Sequence, residues 1–204
     1  MGRGEAYDDL AATAQTRLHT KKKTFRYAER EEELREQFRA ELAGVPAEQL
    51  VYLDETGMDN TEARAYGWSP RGEPCWGEKP GHRTQRVSLL DALHQHVLIA
   101  PFVFEGTCNT ALFEAYIEHC LVPVLIPGQI VIYDNASFHQ SAKARQLIEG
   151  AGCTQKFLPP YSPDLNPIEH CWFPLKQRIR KYLPLYDRDL HRTIDAVLTQ
   201  QQAP

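Results

Sequence analysis

Short apolar runs that end on acids, set between helical stripes, give this chain its outline. Leu50-Val51-Tyr52-Leu53 runs into Asp54, and Ile130 to Tyr133 runs into Asp134. Apolar runs of this length, bounded by turn residues, predict buried strands. Thr84 to Leu93 and His96 to Phe104 read as two more strands joined tightly, which form a meander with the first, and Gln155 to Leu158 is a short fifth strand. Gly57 to Gly81, which includes GWSPRGEP, is a turn-filled excursion of a length that is usually functional or partly structured.

The helical positions fill the gaps. From Ala28 to Ala43, Leu34, Phe38 and Leu42 recur at i, i+4, i+8, predicting a surface helix with one apolar stripe that Gly44 and Pro46 stop. Asn109 caps a helix carrying Leu112, Phe113, Tyr116, Ile117, Cys120 and Leu121, which Pro123 and Pro127 end or kink. A further helix runs from about Ser141 to Ala151. The last opens with Asn166 at N-cap, Pro167 at N1 and Glu169 at N3. One of its faces, Ile168, Trp172, Leu175 and Ile179, should pack on the sheet; another carries Glu169, Phe173, Lys176 and Arg180, and Pro174 predicts a kink.

The order is therefore β-β-β-α-β-α-β-α, an α/β mixed sheet with flanking helices whose first and fourth strands are neighbours. Asp54 and Asp134 would then lie side by side. The expected division is an N-terminal segment over 1–46, poorly ordered and then helical, a sheet domain over 47–185, and a helical tail over 186–204.

Composition narrows the chemistry. The 204 residues suffice for one good core, and the net charge of -4 gives no overall basic signature. Two local clusters remain as phosphate contacts: Lys21, Lys22, Lys23 and Arg26, and then Lys176, Arg180 and Lys181. The five cysteines are scattered without a Cys-x-x-Cys pair, which argues against a disulfide framework or structural zinc and for a reducing interior. No apolar run reaches membrane-spanning length, so the expected location is the cytoplasm.

Asp54, Asp134 and Glu169 each have an ordinary use, the first two starting turns and the third reaching back to its helix cap. Together they point further. Three converging carboxylates with no interleaved lysine or arginine repel one another unless a cation neutralises them, and an oxygen-only donor set favours magnesium or manganese over zinc. Two such ions about 4 Å apart would serve phosphodiester cleavage without a nucleophilic side chain. Consistently, the chain lacks Gly-x-Ser-x-Gly, P-loop and Gly-x-Gly-x-x-Gly motifs. Glu55, Asn135, His139 and Asn166 flank the acids as supporting residues. His139 either orients a ligand, touches phosphate or packs on a loop. Pro159 to Pro163 is a rigid spacer leading to Glu169, and Trp68 and Trp76 are expected to bury against the sheet in preference to stacking on bases.

The set VYLDETG, YGWSPRGE, VIYDNASFH and LPPYSPDLNPIEHCWFPLK resembles the bacterial insertion-sequence transposases of the IS six-thirty and mariner superfamily, over about residues 20 to 185. Between Asp134 and Glu169 lie 34 residues, which matches that family's short second spacing. The resemblance implies an RNase H-like catalytic domain with Asp54, Asp134 and Glu169 as its DDE triad. It further implies magnesium-dependent cleavage of DNA at transposon ends, and attack of the freed 3′ hydroxyl on target DNA, usually at a TA step. A homodimer on DNA follows from pairing two ends. Members ordinarily carry helix-turn-helix modules upstream, so the expectation is a split gene, with the DNA-reading product encoded in an upstream frame, or a fragment. Two alternatives are a metal-dependent nuclease of the same fold that cuts without joining and a non-catalytic remnant that regulates a full transposase.

Overall fold

In the computed structural model, which describes residues 27–63 and 66–202, the apolar runs pair into one sheet. Its centre is β1 (Leu50–Asp59), antiparallel to β2 (Arg86–His94) on one side and parallel to β5 (Ile130–Tyr133) on the other, with β6 (Thr154–Phe157) parallel to β5 at the edge. The expected neighbourhood of the first and fourth strands is thus present. The first strand is twice its expected length, because β2 pairs with it from Val51 opposite His94 to Asp59 opposite Arg86. Asp54 consequently sits in mid-strand, not at a tip.

The expected strand His96 to Phe104 is split into β3 (Val97–Leu98) and β4 (Phe102–Glu105), both antiparallel to β2. Pro101 cannot donate to a ladder at the break. There the Asp91 carboxylate stands in for a strand carbonyl: Oδ1 accepts the Ala92 N–H at 2.7 Å and the Ala100 N–H at 3.0 Å. Gln95 and His96, both at positive φ, make the tight turn from β2 into β3.

Helices cover both faces. On one lie α2 (Thr110–Tyr116), which continues through a π turn at Ile117–Leu121, and α3 (Ala142–Gly150). The start of α2 is capped as the sequence predicts, Asn109 Oδ1 accepting the Leu112 N–H, and at α3 Ser141 Oγ accepts the Ala144 N–H. Phe113, Tyr116, Ile117 and Ile148 pack there with Val51, Leu53, Leu90 and Val131. The other face is covered by α4 (Glu169–Tyr182) and α5 (Leu190–Gln202), where Trp172, Leu175, Ile179, Ile194 and Val197 join Met58, Leu89 and Leu93. The segment expected to trail as a tail is therefore part of a three-layer core.

Near the sheet edge, α1 (Glu32–Leu42) packs Phe38 with Ile132 and Leu158. Its stripe differs from expectation. Leu34 is exposed while Arg35 is buried, its guanidinium giving parallel hydrogen bonds of 2.9 and 2.6 Å to Asp164. Lys21, Lys22, Lys23 and Arg26 lie outside the described residues. Among the described residues, no helix is long and apolar enough to cross a membrane.

The start of α4 also departs from the expected cap. Ile168 occupies the N-cap position, and the turn before it is closed by Glu169 N–H to Asn166 O at 3.2 Å and His170 N–H to Pro167 O at 3.1 Å. The Asn166 side chain is committed elsewhere, donating to the Leu53 carbonyl of β1 at 3.2 Å. The helix runs on through Pro174, which leaves the His170 carbonyl without its usual i+4 donor.

Candidate active site

Parallel pairing sets the first two acids. Tyr52 is level with Ile132, and two residues further on each chain come Asp54 and Asp134, the latter just past the end of β5. Glu169 arrives from the opposite direction as the first residue of α4. Asp54, Asp134 and Glu169 all line one pocket of about 510 Å³, together with Asn135, Asn166, Tyr27 and Tyr161. Strand alternation, which puts Tyr52, Asp54 and Met58 toward α4, sends Glu55 to the other face. There Glu55 lies beside Cys108, with its Oε2 buried and unpartnered, so it is not part of this pocket.

Each acid is held differently. Asp54 Oδ2 accepts the Trp172 indole N–H at 2.7 Å. Burial pushes the Asp54 carboxyl up to about 7; the indole hydrogen bond works against that rise, and the charges of Glu169 and Asp134 add to it. Asp134 Oδ1 accepts from His139 Nδ1 at 2.5 Å, and His139 itself is buried in a cage of Phe113, Tyr133 and Phe138. Burial alone would raise the Asp134 carboxyl, but the His139 hydrogen bond and charge outweigh it and leave the group below its ordinary value. Glu169 is raised, chiefly by burial and further by Asp134, while Lys176 and His170 pull the other way. Two acids biased upward by burial and by neighbouring carboxylates, in one cleft with a third, mark a candidate functional site on physical grounds.

The donor set fits a hard divalent cation, being carboxylate and amide oxygens without thiolate or imidazole in the pocket wall. Among the described residues, however, no three His, Cys, Asp or Glu side chains already converge at ligating distance. Trp172 engages Oδ2 of Asp54 and His139 engages Oδ1 of Asp134, so a shared ion would be met by the other oxygen of each carboxylate, with Glu169 turning toward them.

The supporting residues divide. Asn166 is buried in the pocket wall with its Oδ1 unpartnered, and Asn135 is exposed, accepting from Gln140 Nε2 at 2.9 Å. His139 takes the ligand-orienting place. Of the α4 cations, Arg180 is paired with Glu62 at 2.6 Å and Lys181 lies over the Tyr182 ring, 5.4 Å from its centroid. Lys176 is half-buried, and burial lowers it, with Glu62, Glu169 and Asp54 among the charges that act on it. Lys176 thus shares the Glu169 face of α4, as the helical pattern predicts. Pitch explains it, since Lys176 is seven residues after Glu169 and returns to the same face of the helix. Trp68 and Trp76, expected to be buried, stand fully exposed on the long loop. The residue that the sequence reading missed is Trp172. It was assigned to the apolar face, where it does pack, and its indole donor was the available signal for a second use.

Residues 49–189 match the family model for the DDE superfamily endonuclease. The chain belongs to this family of DDE superfamily endonucleases. A search of curated proteins by sequence finds no match. Among solved structures, the DDE endonuclease fold seen here is shared with the Mos1 strand transfer complex, at a TM-score of 0.60, 16% identity and coverage of 91% of this chain and 64% of that one. The Mos1 mariner paired end complex with Mn gives a TM-score of 0.57, 14% identity and coverage of 91% and 65%. A simian T-cell lymphotropic virus intasome shares the fold at 0.52, 12% identity and coverage of 76% and 48%. The chain thus spans less than two thirds of the length of the Mos1 chains, and at these identities the likeness establishes the RNase H-like fold.

Proposed function

We propose that this DDE endonuclease is the catalytic part of a transposase, cutting DNA at transposon ends and joining the freed ends to target DNA. The observation that carries the reading is the opening of Asp54, Asp134 and Glu169, from two adjacent strands and a facing helix, into one pocket. In this reading the three carboxylates hold magnesium or manganese, in two ions. When bound, such ions favour the ionised form of the attacking oxygen and offset charge on the leaving one. The Mos1 structures with Mn and with Mg supply the analogy for that choice of metal.

The chain's own residues do the positioning. His139 fixes the rotation of Asp134, α4 fixes Glu169, and Lys176, beside Glu169 and Asp54, supplies positive charge toward a phosphate in the cleft. In cleavage, a water oxygen bonds to phosphorus, the bond from phosphorus to the 3′ oxygen breaks, and that oxygen takes up a proton. In joining, the same 3′ oxygen loses its proton and bonds to a target phosphorus, whose own 3′ oxygen leaves. Tyr27 and Tyr161, which line the pocket with ring centroids 5.7 Å apart, offer aromatic faces to bases beside the reacting phosphate. Lys176 and Lys181, with Lys21, Lys22, Lys23 and Arg26, form the backbone-contacting set. Arg180 drops from it because Glu62 holds it. Two copies of the chain on paired ends, and an upstream helix-turn-helix product, complete the assembly in this reading.

The test is cleavage and joining of inverted-repeat DNA with magnesium or manganese, with and without the upstream product. Joined products that vanish in Asp134→Asn are expected. Cuts without joining would instead make the chain a nuclease. Failure to cut in either metal with the upstream product present would make it a non-catalytic remnant.

A further inference from the structure

Helix α4 does more than deliver Glu169. Two hydrogen bonds run from its entry segment to consecutive residues of β1: Asn166 Nδ2 to the Leu53 carbonyl at 3.2 Å and Trp172 Nε1 to Asp54 Oδ2 at 2.7 Å. Glu169 lies in sequence between the two donors. Trp172 is also one turn, three residues, beyond Glu169, so the indole and the Glu169 carboxylate project from neighbouring positions on the helix. The first and third acids are therefore mechanically tied, and any shift of α4 moves both.

A buried indole usually finds an acceptor, so an ordinary satisfied tryptophan is the simplest account of this bond. Two features go beyond it. The acceptor is a carboxylate that shares its pocket with Glu169 and Asp134, whose charges a donor there helps to offset. The second donor, Asn166, anchors the backbone immediately before that carboxylate and keeps one face in the same pocket. An apolar side chain would fill the space between α4 and the sheet equally well, but it could not fix the rotation of Asp54.

We infer that Trp172 is a positioning residue for Asp54: its indole N–H fixes Oδ2, sets the carboxylate relative to Glu169, and thereby sets the affinity of the site for a divalent cation. This inference rests on the metal-site reading above. A carboxylate oxygen has lone pairs to spare beyond the one the indole takes, so cation and indole can share the group. Partners that hold metal ligands typically change affinity by about 10- to 100-fold when removed.

The test reads metal affinity without DNA. The chain has three tryptophans, and Trp68 and Trp76 are exposed on the loop, so Trp68→Phe with Trp76→Phe leaves Trp172 alone. In that background free manganese is followed by electron paramagnetic resonance, and quenching of Trp172 fluorescence reports occupancy beside it. Three further proteins are compared: Asp54→Asn, Trp172→Phe, and the same background with Trp172 replaced biosynthetically by benzothienylalanine. The last keeps the ring shape and removes only the N–H, so it decides the matter even if Trp172→Phe fails to fold. The expected result is loss of saturable binding in Asp54→Asn and a Kd for manganese raised about 10-fold or more in the ring isostere. If Asp54→Asn abolishes binding while the isostere stays within about twofold of its parent, the indole is merely satisfied and the inference is overturned. If Asp54→Asn leaves binding unchanged, the metal-site reading itself is what fails.

Discussion

Asp91 shows how much a single carboxyl can do outside the proposed chemistry. It is fully buried in β2 opposite Asp54, takes two backbone N–H groups on one oxygen, and leaves Oδ2 unpartnered. Burial pushes it up to about 7, against the pull of the Ala100 and Ala92 hydrogen bonds. Between its unfolded value near 4 and about 7, the folded state holds a proton that the unfolded state has lost, so stability falls as pH rises through that window. The fall is worth up to about 4 kcal/mol for this group, with Asp54 adding in the same direction. Asp91→Asn keeps an oxygen for both N–H groups and cannot ionise. Chemical denaturation from pH 4 to 8 should therefore show a shallower decline for the variant, which overtakes the wild type near neutral pH; parallel curves would refute this. His139→Ala belongs to the same scale. It frees Asp134 to rotate, so metal-dependent cutting should fall by on the order of 10-fold or more at fixed magnesium and recover in part at high magnesium. The three acids were legible in the sequence because each ends an apolar run or opens a helix inside a specific motif. Glu55 was misplaced because the hydrophobic pattern of β1 stops at Leu53 while the strand continues to Asp59 under the pairing of β2.

At the scale of elements, the PYSPDLNP segment is held from outside as well as from within. Arg35 of α1 grips Asp164, and Phe38 packs on Leu158 just before the segment, so a helix distant in sequence braces the approach to Glu169. Arg35→Ala removes two charge-assisted hydrogen bonds, but Asp164 remains open to solvent and is not stranded. The expected cost is about 2 kcal/mol, or roughly 6 °C in Tm, with a larger fractional loss of cutting than of DNA affinity. A Tm within about 1 °C of wild type would show that α1 is not a brace. The capped start of α2 could be read from Asn109, since a side chain acting on its own helix is a local signal. The start of α4 could not, because Asn166 answers to Leu53, more than a hundred residues away. The break between β3 and β4 escaped for a similar reason: Pro101 hinted at it, but the Asp91 carboxylate that completes it comes from another strand.

The described residues form one sheet covered by α2 and α3 on one face and by α4 and α5 on the other, with Asp54 and Asp134 at the level where β5 ends. The strand order could be inferred from alternation of apolar runs and helical stripes. The burial of α5 could not, because its stripe becomes meaningful only once α4 presents Leu175 and Ile179 to it. Leu190, Ile194 and Val197 are each almost wholly buried, and at about 1.5 to 3 kcal/mol apiece their loss approaches the full stability of an ordinary domain. A chain ending at Asp189 should therefore lose cooperative thermal unfolding, whereas one ending at Gln200 should keep it. The most direct measurement of the central claim is an anomalous difference map from crystals of the protein with manganese. The account predicts a peak bonded at about 2.0 to 2.2 Å to oxygens of Asp54 and Asp134, with Glu169 turned toward the same cluster. Manganese bound elsewhere, with Asp54 still facing only Trp172 and Asp134 only His139, would contradict it.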